Sequence, residues 1–212
     1  MPRRVDPDVR REQVADAVID EVAEHGLRSV TLARISARTG LAIGSIRHYF
    51  GDTIRQVMRF TLNVLMQRAA QRATTPSTDP VTRLVDIITF VVPTDDQEHR
   101  ENITLVEYRV MARTDAELAA DLTTTSLRAE EVIRSLLRDA MADRTIDEAA
   151  LDRETLLLLT LIEGFSFRST LLAAPLRETD ARTAVAATVQ RLRDAYPPLE
   201  KAQTPLEHDK GR

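Results

Sequence analysis

Apolar residues recur with helical spacing along most of the chain. In the first segment Val14, Val18 and Val22 lie four residues apart, which places them on one face of a helix. Gly26 follows this segment, as a glycine often follows the last turn of a helix. No segment shows a convincing strand pattern. The predicted helices cover residues 8–25, 32–39, 43–50, 53–73, 81–92, 100–113, 116–142, 153–173 and 180–196. We therefore expect an all-α fold.

Two of these helices are short and separated by only a few residues. Thr31 precedes the first, and its hydroxyl can accept a hydrogen bond from an unpaired amide at the helix start. Gly40 lies between the two and tolerates the positive φ that a tight turn requires. Helices joined by so short a turn must cross closely, for which Ser36 is small enough. The pattern predicts a helix-turn-helix corner.

The second short helix is expected to expose polar side chains. Ile46 and Phe50, four residues apart, would face the core, which leaves Ser45, Arg47 and His48 outward. An arginine can neutralise a phosphate or read guanine, and hydroxyl groups can bond phosphate oxygens, so this helix suits the major groove of DNA. Helix-turn-helix corners also occur in proteins that never bind DNA, so the geometry alone leaves both possibilities open.

Charge and composition limit which partners and which chemistry the chain can have. The net charge is −4, which by itself does not favour a nucleic-acid partner. Residues 1–56 nevertheless hold more arginines than acidic residues, whereas the remainder is acidic. The chain has no Cys, which excludes disulfides, thiolate nucleophiles and Cys-ligated zinc. No signal-peptide core follows the first residues, so we expect a cytoplasmic protein with no membrane partner.

Catalytic and metal sites find no support in the sequence. The His residues form no pair with metal-ligand spacing, and the acidic residues 95–101 are better explained as a solvated loop than as a cation site. No glycine-rich phosphate loop or serine-nucleophile motif is present. We therefore expect no metal, no cofactor and no catalytic residue. A helical enzyme and a helical scaffold without DNA binding remain the alternatives.

Two apolar segments of the larger, C-terminal part place charged groups beside aromatic rings, at residues 107–111 and 163–168. Core packing with ion pairs is the better explanation for any single residue there. A pocket with a few polar anchors in an apolar wall is the functional alternative. The candidate pocket residues are Phe90, Tyr108, Arg109, Met111, Glu163 and Phe165.

The first fifty-odd residues resemble the DNA-binding head of the tetracycline-repressor (TetR) family. The resemblance rests on Gly26, Thr31, Ile35-Ser36, Gly40-Leu41-Ala42, Gly44-Ser45-Ile46 and His48-Tyr49-Phe50. The Arg47–Phe50 ending and residues 163–165 resemble the subgroup that contains the choline-pathway repressor. Together with the geometry, the resemblance implies these DNA-contacting residues: Thr31, Arg34, Ile43, Gly44, Ser45, Arg47, His48 and Tyr49.

The sequence departs from the family pattern at several positions. Ala42 stands where the family usually has a serine that caps the recognition helix and touches phosphate. Arg47 stands where a tyrosine is frequent, and its charge can replace the phosphate contact. Thr53 replaces a usual lysine, and Gln56 a common leucine. These changes put single contacts in doubt but not the fold of the head.

The resemblance also implies an organisation and a function. It implies a helix-turn-helix domain at residues 1–52 and a helical effector-binding and dimerisation domain at 53–197. The polar composition of residues 198–212 predicts a disordered tail. The resemblance further implies a homodimer whose last two long helices form a four-helix bundle, and residues 156–162 are more apolar than one buried face of a lone helix requires. We expect a repressor that binds a near-palindromic double-stranded DNA operator and is released by a small-molecule effector.

Overall fold

The computed structural model describes residues 6–73, 77–171 and 177–199. Within these ranges the chain is all-α, as expected, and its only extended pairing is an isolated bridge between Arg144 and Pro198. The helices are α1 (Pro7–His25), α2 (Leu32–Thr39), α3 (Ile43–Phe50), α4 (Ile54–Arg72), α5 (Pro80–Thr89), α6 (Asp96–Ala112), α7 (Ala116–Ala140), α8 (Glu148–Leu171) and α9 (Glu178–Ala195). In the part of the chain described here, no helix is long and apolar enough to cross a membrane.

Two helices, α6 and α8, begin four and five residues earlier than the sequence pattern predicts. The acidic stretch that the sequence favours as a solvated loop contains the first turn of α6. Asp95 caps this helix by accepting a hydrogen bond from the Glu98 amide at 2.8 Å, and Asp96 lies in the first turn, where negative charge is favoured. Asp147 likewise accepts from the Ala150 amide at 2.7 Å at the start of α8. Acidic residues therefore cap the N-termini of α6 and α8.

The head and the helices next to it share one apolar cluster. The side chains of Val14, Val18, Ile35, Ile46 and Val57 in this cluster are fully buried. The cluster continues into α4 and reaches Tyr108 of α6 and Leu118 of α7. The apolar interior thus runs across the predicted boundary between residues 52 and 53, and the division into domains there stays a prediction.

A second apolar cluster is built by α5, α7, α8 and α9. It includes Leu84, Ile88, Leu137, Leu158 and Val185, each at most 1% exposed. At its far end the segment after α9 is held by backbone hydrogen bonds, from the Thr145 amide to the Pro197 carbonyl and from the Leu199 amide to the Asp143 carbonyl. The rest of the predicted tail, residues 200–212, lies outside the described residues.

Helix α6 connects the head with the larger, C-terminal part of the chain, formed by α4 to α9 and called the body from here on. Its Thr104 hydroxyl lies 3.4 Å from the Ile19 carbonyl of α1, and Arg100 forms an ion pair with Asp20 at 3.2 Å. The α6 helix also packs against α4, α7 and α8. A change on the body side of α6 can therefore reach α1 through direct contacts.

Candidate DNA interface and effector cavity

The corner between α2 and α3 has the geometry that the sequence predicts. Gly40 adopts a left-handed conformation with φ 70° and ψ 5°, which an L side chain rarely tolerates. The Thr31 hydroxyl accepts a hydrogen bond from the Arg34 amide at 3.2 Å. Ser36 donates to the Leu41 carbonyl at 2.6 Å and so ties α2 to the turn. Ile46 is fully buried and fixes α3 against the head.

The outer surface of α3 is polar and accessible. Arg47 and His48 are exposed, and Ser45 and Tyr49 are half-buried. The rings of His48 and Tyr49 meet edge to face with centroids 5.6 Å apart, and Tyr49 also packs against the apolar cluster of the head. Tyr49 thus contacts both the exposed His48 ring and the apolar cluster of the head.

The start of α3 has no side-chain cap. Ala42 occupies the N-cap position, and no side chain accepts a hydrogen bond there. The first amides of an α-helix have no intrahelical acceptor, so those of Ile43 and Gly44 are available to an external anion. Gly44 is exposed and has no atom in the path of a side chain, so it also leaves room for a close approach. The missing cap leaves this helix end open to phosphate.

A buried carboxylate beneath α2 engages two of its arginines. Glu21 of α1 is 1% exposed, contacts the Arg34 guanidinium and accepts a hydrogen bond from Arg38 at 2.7 Å. Burial alone would raise the pKa of Glu21, but hydrogen bonds from Arg38 and Ser29 and the charge of Arg34 outweigh burial and hold the pKa below its usual value. The predicted DNA contact Arg34 therefore also serves the head's own structure; its side chain remains 46% exposed.

The body contains a cavity of about 360 Å³ between α4, α5, α6, α7 and α8. Of the residues predicted for a pocket, Phe90 and Arg109 line it. Glu163 is exposed and Phe165 packs into the second apolar cluster, so neither reaches the cavity. The two residues differ from the prediction in their place, because the exposed and packed sides of α8 depend on the helices that surround it.

Tyr108 and Met111 also lie away from this cavity. Tyr108 is fully buried in the apolar cluster of the head, and its hydroxyl donates to the Met58 carbonyl at 2.9 Å. Burial raises the pKa of Tyr108 far above its usual value, because the charged form would lose its hydration. Both residues border a separate groove of about 160 Å³ beside α4. Core packing, the alternative explanation, thus describes the surroundings of Tyr108.

The sequence pattern missed the polar side of the cavity. Glu101, only 3% exposed, accepts hydrogen bonds from Arg68 at 2.9 Å and from Arg72 at 2.6 Å. Burial alone would raise the pKa of Glu101, but the hydrogen bonds from Arg72 and Arg68 outweigh it and lower this pKa. Asn102 of α6 donates to the Ser166 carbonyl of α8 at 2.8 Å. None of these partners is near the other in sequence, so no local motif marks them.

No group of His, Asp or Glu side chains that could hold a metal ion occurs among the residues that the structure describes.

The larger, C-terminal part of the chain matches a known family. Residues 80–194 match the family described as "BetI-type transcriptional repressor, C-terminal". The HTH-type transcriptional regulator BetI of Burkholderia ambifaria is 34% identical over 91 residues, which are 42% of this chain and 47% of that protein. The chain spans about half the length of the curated relatives it matches.

Solved structures share the fold over most of the chain. A transcriptional regulator from Rhodococcus sp. Rha1 superimposes with a TM-score of 0.73 at 22% identity, covering 88% of this chain and 97% of that chain. A putative transcriptional regulator from Saccharomonospora viridis, in complex with choline, gives a TM-score of 0.75 at 14% identity, covering 86% and 96%. Because the family match covers more than half of the chain, this protein belongs to the BetI-type transcriptional repressors of the TetR family.

Proposed function

We propose that this protein is a homodimeric repressor that binds operator DNA through α2 and α3 and leaves it when a small molecule enters the cavity. The observation that carries the proposal is the corner itself. A rigid, correctly capped α2 presents a short helix with Arg47 and His48 exposed and with an open N-terminus. Transcriptional regulators of this family are not enzymes, and no observation favours the helical-enzyme alternative.

The proposed DNA contacts combine phosphate binding with base reading. The amides of Ile43 and Gly44, the hydroxyls of Thr31 and Ser45, and the Tyr49 hydroxyl suit phosphate oxygens. Arg47 and His48 lie on the exposed face of α3 and are the best placed to reach base edges. Arg34 would add charge at the edge of the contact from its place beside Glu21.

The proposed dimer uses the exposed face of α8. Leu156, Leu157, Phe167 and Leu171 are between 54% and 69% exposed, and at about 100° per residue they lie on one side of α8. An exposed row of large apolar side chains marks an interaction surface. Leu172, which also belongs to the apolar stretch, lies outside the described residues. A two-fold dimer would present two copies of α3 and prefer a near-palindromic site.

The proposed dimer is tested by placing a charge on this face. Leu156→Glu should convert the dimer, about twice 23.8 kDa, to a monomer in light scattering at micromolar protein. Because Leu156 is 65% exposed, the monomer itself should stay folded. Leu127→Glu on α7, at a leucine 57% exposed, is the matched control and should stay dimeric. A monomeric parent protein would contradict the proposed dimer.

The proposed effector site is the cavity, and α4 connects it directly with the head. Leu65, Met66 and Arg72 on α4 line the cavity, and only three residues separate α4 from α3. Arg68 on the same helix pairs at once with Glu101 of α6 at 2.9 Å and with Asp16 of α1 at 2.8 Å. A ligand that favours a different placement of α4 over α6 would shift the spacing of the two heads. The choline seen in the Saccharomonospora viridis protein supports a small-molecule effector of some kind here.

The DNA-binding proposal is tested at Arg47. Operator fragments are selected from genomic DNA, and binding is measured by fluorescence anisotropy at several salt concentrations. Arg47→Ala should weaken specific binding by about 1–3 kcal/mol if it reads a base; if it only holds phosphate, the salt slope should fall by about 1 per subunit. Arg138→Ala, an exposed arginine of α7, is the control and should bind normally. Unchanged binding by a folded Arg47→Ala variant would remove α3 from the interface.

A further inference from the structure

The wall of the cavity is mostly hydrocarbon. The apolar part of the lining includes Leu65, Met66, Ile87, Phe90, Leu105 and Ile133. Phe90 is the only aromatic residue in the described lining, so the cavity has no cage of several rings around a cation. Its volume of about 360 Å³ is at the lower end of small-molecule sites. The interior therefore suits an aliphatic chain of moderate length.

Most polar groups of the wall are already used within the protein. Ser166 donates to the Asn102 side-chain oxygen at 2.6 Å, while the Asn102 amide donates to the Ser166 carbonyl at 2.8 Å. The Thr125 hydroxyl donates to the Asp121 carbonyl at 3.1 Å. These three side chains are therefore hydrogen-bonded within the protein and offer a ligand few free donors or acceptors.

Both carboxylates of the wall are used as well. Glu101 holds Arg68 and Arg72, and it also accepts a hydrogen bond from Gln97 at 3.2 Å. Glu98 accepts from the amide and the hydroxyl of Thr94, each at 2.8 Å. The wall therefore has no unengaged carboxylate for a cationic ligand.

Two arginines of the wall, unlike its other polar side chains, have no side-chain partner within the described part of the protein. Arg109 on α6 and Arg128 on α7 are exposed and line the cavity, and neither guanidinium has a hydrogen bond or ion pair with any residue in the described ranges. Together with Arg72 they give the lining three positive charges against the two of Glu98 and Glu101. A guanidinium offers several donors in a fixed plane, which suits the two oxygens of a carboxylate.

We propose that the cavity binds an anionic amphiphile: an aliphatic chain in the apolar interior with a carboxylate held by Arg109 and Arg128 at the exposed edge. A quaternary ammonium would find unpaired positive charge there and, in the described lining, no carboxylate without a partner. The inference rests on the proposed function in one respect, that the cavity is the effector site. Its test is binding in the absence of DNA, so failure of the repressor mechanism would not obscure the result.

The test compares two probes with the same tail and opposite charge. Decanoate and decyltrimethylammonium are titrated into the full chain by calorimetry, below the concentrations at which either forms micelles. Decanoate should bind at least tenfold more tightly, because hydrogen bonds to charged groups contribute about that factor or more. Octanoate should bind roughly tenfold more weakly than decanoate, because two fewer methylenes are buried.

Variants identify the charges responsible. The double variant Arg109→Gln, Arg128→Gln should lose at least tenfold in decanoate affinity and should keep the parent's preference for decanoate over octanoate, because the apolar lining is unchanged. Arg113→Gln, an exposed arginine one turn beyond Arg109 that lines neither pocket, is the matched control and should bind as the parent does. Both arginines are exposed, so the double variant should keep the parent's unfolding temperature.

Three results would overturn the inference. One is tighter binding of decyltrimethylammonium or of choline than of decanoate. Another is decanoate binding that the double variant leaves unchanged, because the carboxylate would then lie elsewhere. The third is no measurable decanoate binding by the folded parent protein.

Discussion

The head and the body each contain a glutamate buried between two arginines, but the two clusters occupy different places. In the head, Glu21 of α1 holds Arg34 and Arg38, which both belong to α2. In the body, Glu101 of α6 holds Arg68 and Arg72, which both belong to α4. Each carboxylate is at most 3% exposed, so each depends on its arginines to stay ionised.

The difference lies in what surrounds each cluster. Glu21 stands among the three helices of the head, where it fixes α2 against α1. Glu101 is part of the cavity wall, and its partner Arg68 continues to Asp16 of the head. Under the proposed function, the same arrangement of charges supports the DNA-binding surface in the head and lies where a ligand can alter it in the body.

The largest expected effect is that of Glu21→Gln. Removing the carboxylate leaves two arginines without their buried partner and should lower the free energy of unfolding by about 3 kcal/mol. Urea denaturation with helix circular dichroism measures it. Glu24→Gln is the control, because Glu24 also contacts Arg38 but is 49% exposed. An equal effect of the two variants would show that burial does not set the cost.

The loss should depend on pH in a defined direction. The pKa of Glu21 is lowered on folding, so its ionised form contributes stability above the unfolded value of about 4.5, and this contribution is lost as pH falls through the lower folded value. The Glu21→Gln deficit should therefore be full at pH 7 and shrink below pH 4. A constant deficit across this range would contradict the ionic origin.

Glu101→Gln should have a smaller effect on stability and a larger one on ligand response. Arg68 keeps Asp16 and Arg72 keeps Glu98 nearby, so less charge is stranded, and we expect a loss of about 2 kcal/mol. The variant should also change the effector concentration that releases operator DNA, whereas Glu21→Gln should not. Glu107→Gln, half-buried on the same helix, is the control for both measurements.

A smaller gain is expected from Ala42→Ser. A serine at this N-cap can accept a hydrogen bond from an amide in the first turn of α3, which typically stabilises by about 1 kcal/mol. Thermal unfolding measures the gain, and Ala37→Ser inside α2 is the control that should lose about 0.5 kcal/mol. A loss of stability in Ala42→Ser would show that a side-chain cap at this position does not stabilise α3.

The smallest effect belongs to the exposed ion pairs between α4 and α7. Arg59 and Asp121 are 2.7 Å apart, but the arginine is 59% exposed and screened by water. Arg59→Ala should change the unfolding free energy by less than about 0.5 kcal/mol. A double-mutant cycle with Asp121→Ala isolates the pair. A coupling energy as large as the loss of unfolding free energy expected for Glu21→Gln would contradict the contrast between buried and exposed clusters.

Local features of the chain were predictable from the sequence. The bounds of α2 and α3 follow from Thr31, Gly40 and the glycine after Phe50, and the structure confirms them. Helix existence, capping and a positive-φ turn depend on residues within about four positions of one another. A sequence displays such neighbours directly, so periodicity and turn residues suffice to locate them.

The cavity was decided by tertiary structure. Phe90 and Arg109 were predicted to line it, yet Tyr108, next to Arg109, is enclosed in the core of the head. Adjacent residues of a helix face directions about 100° apart, so a helix covered on several sides, like α6, sends them to different environments. The pairing of Glu101 with Arg68 and Arg72 likewise joins positions about thirty residues apart. Only the packing of α4 against α6 brings these charges together. The Glu101 carboxylate depends on this pairing, because it is buried and has little water to replace a partner.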